Sequence, residues 1–158
     1  MQYILMALMA AGMVFADQLT KFWVVRDIPL YHQVQVLPGF IGLTYIQNRG
    51  AAWGSFSGMI WLFALIFAIF TVGMIWEFSR KKLPFKTFER WCIAAIWAGG
   101  LGNMIDRIRL GYVVDMIRTE FIEFPIFNVA DCFITCGSIL LVLHLIFFNK
   151  EFWKEEKK

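Results

Sequence analysis

Two histidines and three cysteines in 158 residues leave this chain with little of the usual equipment for metal or nucleophilic chemistry. His32 falls in a polar stretch and His144 deep in an apolar run, so a His-Glu-x-x-His zinc site cannot be built. Cys132 and Cys136 lie four apart in one apolar run. On a helix their side chains point the wrong way for a disulfide. With Cys92, in another apolar run, they read as packing thiols rather than redox or metal groups. A Cys132 nucleophile would also lack a basic partner. Gly54-Ser55-Phe56-Ser57-Gly58 does not match the Gly-x-Ser-x-Gly elbow, and nothing in the sequence supports a serine-lysine pair with Lys21. Internal repeats and low-complexity tracts are absent as well.

What is abundant is apolar surface: 59% of residues are hydrophobic and 18% aromatic, and mean hydropathy is +0.63. A soluble core of this size cannot hide that much. A membrane span needs about 20 mostly apolar residues, and four stretches fit, near 3–25, 59–78, 90–110 and 127–148. The expectation is an α-helical membrane protein, a four-transmembrane-helix bundle forming one domain over 1–158. Val14-Phe15-Ala16 resembles a secretory cleavage site. The first 20 residues carry no Lys or Arg, however, and apolar character resumes after Asp17, so a retained helix is expected. The segment from Arg80 to Arg90 holds five Lys or Arg, and Lys150, Lys154, Lys157 and Lys158 follow the last span. The other two loops carry three each. By the positive-inside rule both termini and the basic loop lie in the cytoplasm. Asp17, Asp115 and Asp131 then meet at the outer face. The net charge of +3 is explained by these basic flanks, with no nucleic acid implied.

Between spans one and two, His32 to Leu37 alternates, Pro38-Gly39 marks a turn, and Phe40 to Gln47 is rich in β-branched and aromatic residues. A small extracytoplasmic β-sheet is expected. It runs into Asn48-Arg49-Gly50-Ala51-Ala52-Trp53-Gly54, which reads equally as a place for close approach to a bound chain or as a re-entrant turn. The third loop begins with a strand-like run, Tyr112 to Ile117. Phe121, Ile122 and Phe124 follow as an interfacial loop against lipid.

Polar residues within the spans are few, so each needs a reason. Asp17 and Lys21, four apart on one helix face, can neutralise one another and offset an insertion cost of roughly 2.5 to 3.5 kcal/mol per central charge. They read as a structural or substrate-positioning pair. Gly99-Gly100-Leu101-Gly102 permits close helix contact. Asn103, Asp106 and Arg107 follow on one face, with Arg107 free to reach a carboxylate and Asp106 expected in an ion pair. Asn128 is a good N-cap, which places Asp131 at the third helical position, where backbone amides and the helix dipole favour a carboxylate. A capping box alone would account for it. Asp115 sits on a strand with no cation adjacent. Beside a second carboxylate, burial and like-charge repulsion would raise its pKa. One acid and one base result, the asymmetry that acid/base activation of water needs.

Asp17-Gln18-x-Thr20-Lys21, Asn48-x-Gly50-Ala51-Ala52-Trp53, Gly100-x-Gly102-Asn103-x-x-Asp106-Arg107, Val113-Val114-Asp115 and Phe127-Asn128-x-Ala130-Asp131, in that order, resemble the lipoprotein signal peptidases, the type II signal peptidases of bacteria. Two departures are small. Met116 stands where Phe is usual, and the stretch between Asp115 and Asp131 is short. The resemblance implies an inner-membrane aspartyl endopeptidase, acting as a monomer among membrane lipids. Its substrates would be prolipoproteins carrying diacylglycerol on a cysteine, cut just before that cysteine. The implied catalytic dyad is Asp115 and Asp131. Asn48, Asn103, Arg107 and Asn128 would line the cleft, with Asp17, Lys21, Gly50, Asp106 and Ala130 in support. Dyad-activated water needs no metal, cofactor or acyl-enzyme, and asparagine donors would stabilise the tetrahedral intermediate. Two other classes fit parts of the sequence. A proton-coupled carrier would use Asp17, Asp106 and Asp131 as a relay but should repeat carboxylates through the membrane depth. A binding module would rely on the outer sheet and tolerate loss of either aspartate.

Overall fold

The computed structural model describes residues 1–50 and 55–154, so the reading of Ala51 to Gly54 and of Lys157 and Lys158 lies outside the described residues. Its elements run α1 (Gln2–Asp27), β1 (Gln33–Leu37), β2 (Ile41–Asn48), α2 (Ile60–Arg80), α3 (Thr87–Leu110), β3 (Val113–Thr119) and α4 (Val129–Phe147), then a 3-10 turn at Lys150–Trp153. Four helices form a bundle, and the strands make one antiparallel sheet in the order β1-β2-β3 at one end of it.

Three of the helices, α1, α2 and α4, are long and apolar enough to cross a membrane; α3 is not. Hydropathy along the chain predicts four equivalent spans, and α3 departs from that expectation. The difference follows from where each helix sits. Eleven of the 24 residues of α3 are buried, whereas α2 buries only Glu77. A helix wrapped by its neighbours needs small and polar side chains for contact, and apolar bulk only where it meets lipid. Helix α2, by contrast, turns Trp61, Leu65, Ile69 and Val72 outward and leans on α3 through Phe67 stacked on Trp97. The Trp97 indole donates to Thr71 Oγ1 at 2.9 Å.

The glycines of α3 are divided among its neighbours. A Cβ on Gly99 would strike the Ala130 carbonyl of α4, one on Gly102 would stand 2.6 Å from Asp17 Oδ2 of α1, and one on Gly100 would press Phe67 of α2 at 3.0 Å. At the end of α3, Gly111 takes φ 79°, the left-handed cap that turns the chain into β3.

Strand alternation then sorts β3. Val114 and Met116 pack with Val24 of α1, Ile28 just after it and Tyr45 of β2 in a small core under the sheet, which turns Asp115 to the opposite side. Met116, the departure noted in the sequence, therefore points away from Asp115. The chain returns at Phe127, whose N–H and C=O bond to Ile117 at 3.1 and 2.7 Å. That pairing delivers Asn128 beside Asp115.

Candidate active site

Asn128 caps α4 as its sequence position implies. Its side-chain oxygen accepts from Asp131 N at 2.9 Å, and Asp131 Oδ2 accepts from Asn128 N at 3.1 Å. The reciprocal box anchors one oxygen of Asp131 and leaves Oδ1 for other partners. Asp115 is placed by the sheet. Its register partner on β2 is Ile46, and Asn48 lies two residues further on the same face. From there the Asn48 amide reaches Asp115 Oδ2 at 2.9 Å, while Asn128 Nδ2 donates to Asp115 Oδ1 at 2.7 Å. Asp131 Oδ1 accepts from Asn103 Nδ2 at 2.8 Å.

The asparagines thus hold the carboxylates themselves, which differs from the expected oxyanion role. Asn128 Nδ2 gives its second hydrogen to Asn103 Oδ1 at 3.0 Å, so its amide donors are fully engaged. Both carboxylates line a cavity of about 460 Å³ with Asn48, Gly50, Asn103 and Arg107 on its polar side. Val113, Phe124, Ile126, Phe127 and one side of α4 make the rest apolar. Burial pushes the Asp115 carboxyl up to about 6, helped by the nearby Asp131 charge and opposed by the Asn48 and Asn128 hydrogen bonds and by Lys21.

Asp17, Lys21 and Asp106 are brought together behind this wall, and none of them lines the cavity. Lys21 Nζ meets Asp17 Oδ2 and Asp106 Oδ2, each at 2.9 Å. Asp106 is in an ion pair as expected, but with Lys21 and not with its neighbour Arg107. Consecutive residues on a helix point in different directions, so Asn103 and Arg107 face the cavity while Asp106 faces α1. Arg107 does not pair with a carboxylate among the described residues. It donates to Gly50 O at 2.9 Å and to Asn103 O at 3.4 Å, and lies over the Phe63 ring 4.2 Å from its centre. Gly50 N in turn bonds Asn48 Oδ1 at 2.9 Å, which fixes which face of that amide meets Asp115. Ala130 N donates to Asp17 Oδ1 at 3.0 Å, tying α4 to α1.

Gln18, inside the first motif but without an expected role, joins the same cluster. Its Nε2 lies 3.1 Å from Asp17 Oδ2, 3.0 Å from Asp106 Oδ1 and 3.1 Å from Gly102 O. Its helical position beside Asp17 was the available signal. Cys132 and Cys136 line the cavity, whereas Cys92 is buried in the bundle; all three thiols are free. At the far end of α3, Glu89 accepts from His144 Nδ1 and Asn149 Nδ2, both at 2.8 Å, and Glu77 pairs with Arg90 at 3.1 Å. Seventeen residues of helix, about 25 Å, separate Glu89 from Asp106. No buried carboxylate lies between them on α3 among the described residues, so carboxylates do not recur along that helix as a carrier's relay would need.

A multi-pass helical membrane protein that opens two aspartates onto one apolar-walled cavity is the framework of an aspartyl-type membrane hydrolase. A model of the signal peptidase (SPase) II family matches residues 9–147. The lipoprotein signal peptidase of Lactococcus lactis subsp. lactis is 45% identical over 136 residues, 84% of this chain and 87% of that protein. That of Streptococcus agalactiae serotype V is 40% identical over 156 residues, 99% and 96% of the two chains. A bacterial membrane enzyme solved by the in meso method at 2.3 Å superposes with a TM-score of 0.85 at 35% identity, covering 97% of this chain and 93% of that one. The chain belongs to the signal peptidase II family.

Proposed function

We propose that this enzyme cleaves the signal peptides of prolipoproteins on the N-terminal side of a diacylglyceryl-modified cysteine, with Asp115 and Asp131 as its catalytic pair. The observation that carries the reading is that both carboxylates open onto one apolar-walled cavity, each held by its own asparagine amide. Asp115, buried on its strand, holds the shared proton and gives it to the scissile carbonyl oxygen. Asp131 takes a proton from water as the water oxygen attacks the carbonyl carbon. The tetrahedral diol then collapses. The bond to the cysteine nitrogen breaks as that nitrogen receives a proton, and the pair is restored with one proton between them. Among the described residues Arg107 spends only two of its five N–H hydrogens, on Gly50 O and Asn103 O, and the others suit a substrate carbonyl at the cavity wall.

The lipid tails and signal helix would lie along the apolar wall. A single domain over 1–158 working as a monomer suffices for this reaction. We further place α3 across the membrane with the other three, both termini and the basic loop in the cytoplasm, and the sheet with its Phe121, Ile122 and Phe124 edge at the outer surface of the inner membrane. Those three side chains are exposed. Purified wild type should cleave a diacylglyceryl-modified precursor and leave an unlipidated one intact, while Asp115→Asn and Asp131→Asn should each lose cleavage yet remain inserted. Near-normal processing by either variant would sink the assignment. Activity should also fall in acid as the pair takes up its second proton, and a flat profile down to about pH 3 would count against it.

A further inference from the structure

The proposed dyad leaves unexplained a buried ammonium that never reaches the cavity. Lys21 Nζ has three hydrogens and all are engaged, with Asp17 Oδ2, Asp106 Oδ2 and, at 3.0 Å, Asn103 Oδ1. An ammonium only donates, so Asn103 must turn its oxygen toward Lys21. The nitrogen of the same amide is then left facing Asp131 Oδ1 at 2.8 Å. Asn128 Nδ2 presses on the Asn103 oxygen from another side and is likewise a donor. A flipped Asn103 would set its NH2 against two donors and its carbonyl against a carboxylate. Its orientation is therefore imposed from behind the active site, not chosen within it.

The carriers of that ammonium are themselves fixed by backbone. Asp17 Oδ1 accepts from Ala130 N and Asp106 Oδ2 from Val114 N at 3.1 Å. These amides adjoin Asp131 and Asp115 in sequence, so each ties one side of the cluster to one half of the catalytic pair. We propose that Lys21 is a positioning residue of the hydrolysis: held by Asp17 and Asp106, it locks the Asn103 amide as a donor to Asp131 and so keeps that carboxylate competent as the base. This inference rests on the catalytic assignment above. It departs from a substrate-positioning role for Asp17 and Lys21, since neither borders the cavity.

The charged and titratable groups around the pair are Asp17, Lys21 and Asp106 behind the wall, Arg107 from α3 and Cys132 and Cys136 from α4 at the cavity, and Arg49 from the segment after β2. Lys21→Met alone would strand two buried carboxylates. The informative variant is the neutral triple, Asp17→Asn/Lys21→Met/Asp106→Asn, because neutral replacement of a buried ion cluster is often tolerated and asparagine oxygens can still accept from Ala130 N and Val114 N. On a lipidated precursor, kcat at neutral pH should fall about tenfold or more with KM within about twofold, and the acid limb of kcat should be displaced. A triple variant that inserts and keeps the wild-type kcat and pH profile overturns the proposal, as does a rise in KM with kcat unchanged.

If the triple fails to insert, Asn103→Asp decides. It keeps an acceptor for Lys21 and Asn128 but has no N–H for Asp131, and a wild-type profile there overturns the proposal equally. A lowered kcat with a displaced acid limb supports it. Active Asp→Asn dyad variants would instead remove the catalytic reading itself, so the two failures are distinguishable.

Discussion

Asp115 carries a cost that can be measured separately from catalysis. Burial pushes its carboxyl up to about 6 in the folded protein from an ordinary value of 3.8. Between about pH 4 and pH 6 the folded state keeps a proton that the unfolded chain has released, so this group lowers stability as pH rises, reaching about 3 kcal/mol above pH 6. In Asp115→Asn that slope should vanish. Melting temperature of the wild type relative to this variant, followed from pH 4 to 7, should therefore decline through the window, whatever constant offset the altered hydrogen bonds introduce. Parallel curves would contradict the burial argument. The same desolvation places the group close to a working pH, where a carboxyl can both hold and release a proton during turnover. Asp131 was legible from the sequence as a capping acid, and the reciprocal bonds with Asn128 bear that out. Asn48 and Asn103 line the cavity as the resemblance implied, whereas Asn128 does not: it is fully buried behind Asp115, where its amide is used up on Asp115 and Asn103. None was legible as a carboxylate holder, because amide orientation depends on partners 13 to 82 positions away.

The helices approach one another through glycine, and the tightness differs from one position to the next. Gly99 meets backbone of α4, which cannot move aside, whereas at Gly12 a Cβ would find nothing within 4 Å. Gly99→Ala should lower stability by about 1 to 3 kcal/mol through overpacking. Gly12→Ala should be neutral or add up to about 1 kcal/mol through helix propensity. Thermal unfolding in detergent compares the two. Equal melting temperatures would mean that α3 and α4 have room to slide. The glycine run announced close contact in the sequence, yet not that Gly99, Gly100 and Gly102 each serve a different neighbour. The outer strands were readable from alternation and turn residues. The bulge between Leu43 and Ile46 was not, although it sets the register that brings Asn48 alongside Asp115.

Across the whole molecule the polar chemistry is split between two ends of one bundle. Asp17, Lys21, Asp106 and the aspartate pair lie at the sheet end, and Glu77, Glu89, Arg90, His144 and Asn149 at the other. If α3 crosses the membrane as proposed, single cysteines placed in an otherwise cysteine-free variant should report it. One at Lys82 should react with a membrane-impermeant maleimide only after the cell is opened, and one at Gln35 should react in intact cells with a permeable outer layer. Labelling of both from outside would reject the topology. The sequence by itself determined the membrane setting, the helical and strand segments, the α4 cap and the candidate carboxylates, because hydropathy, alternation and capping are local properties. Only the tertiary structure decided that α3 is the enclosed helix, that Asp106 pairs with Lys21 and not Arg107, and that three asparagines hold the aspartate pair. Those outcomes depend on directions of side chains brought together from distant segments, and no spacing along the chain encodes them.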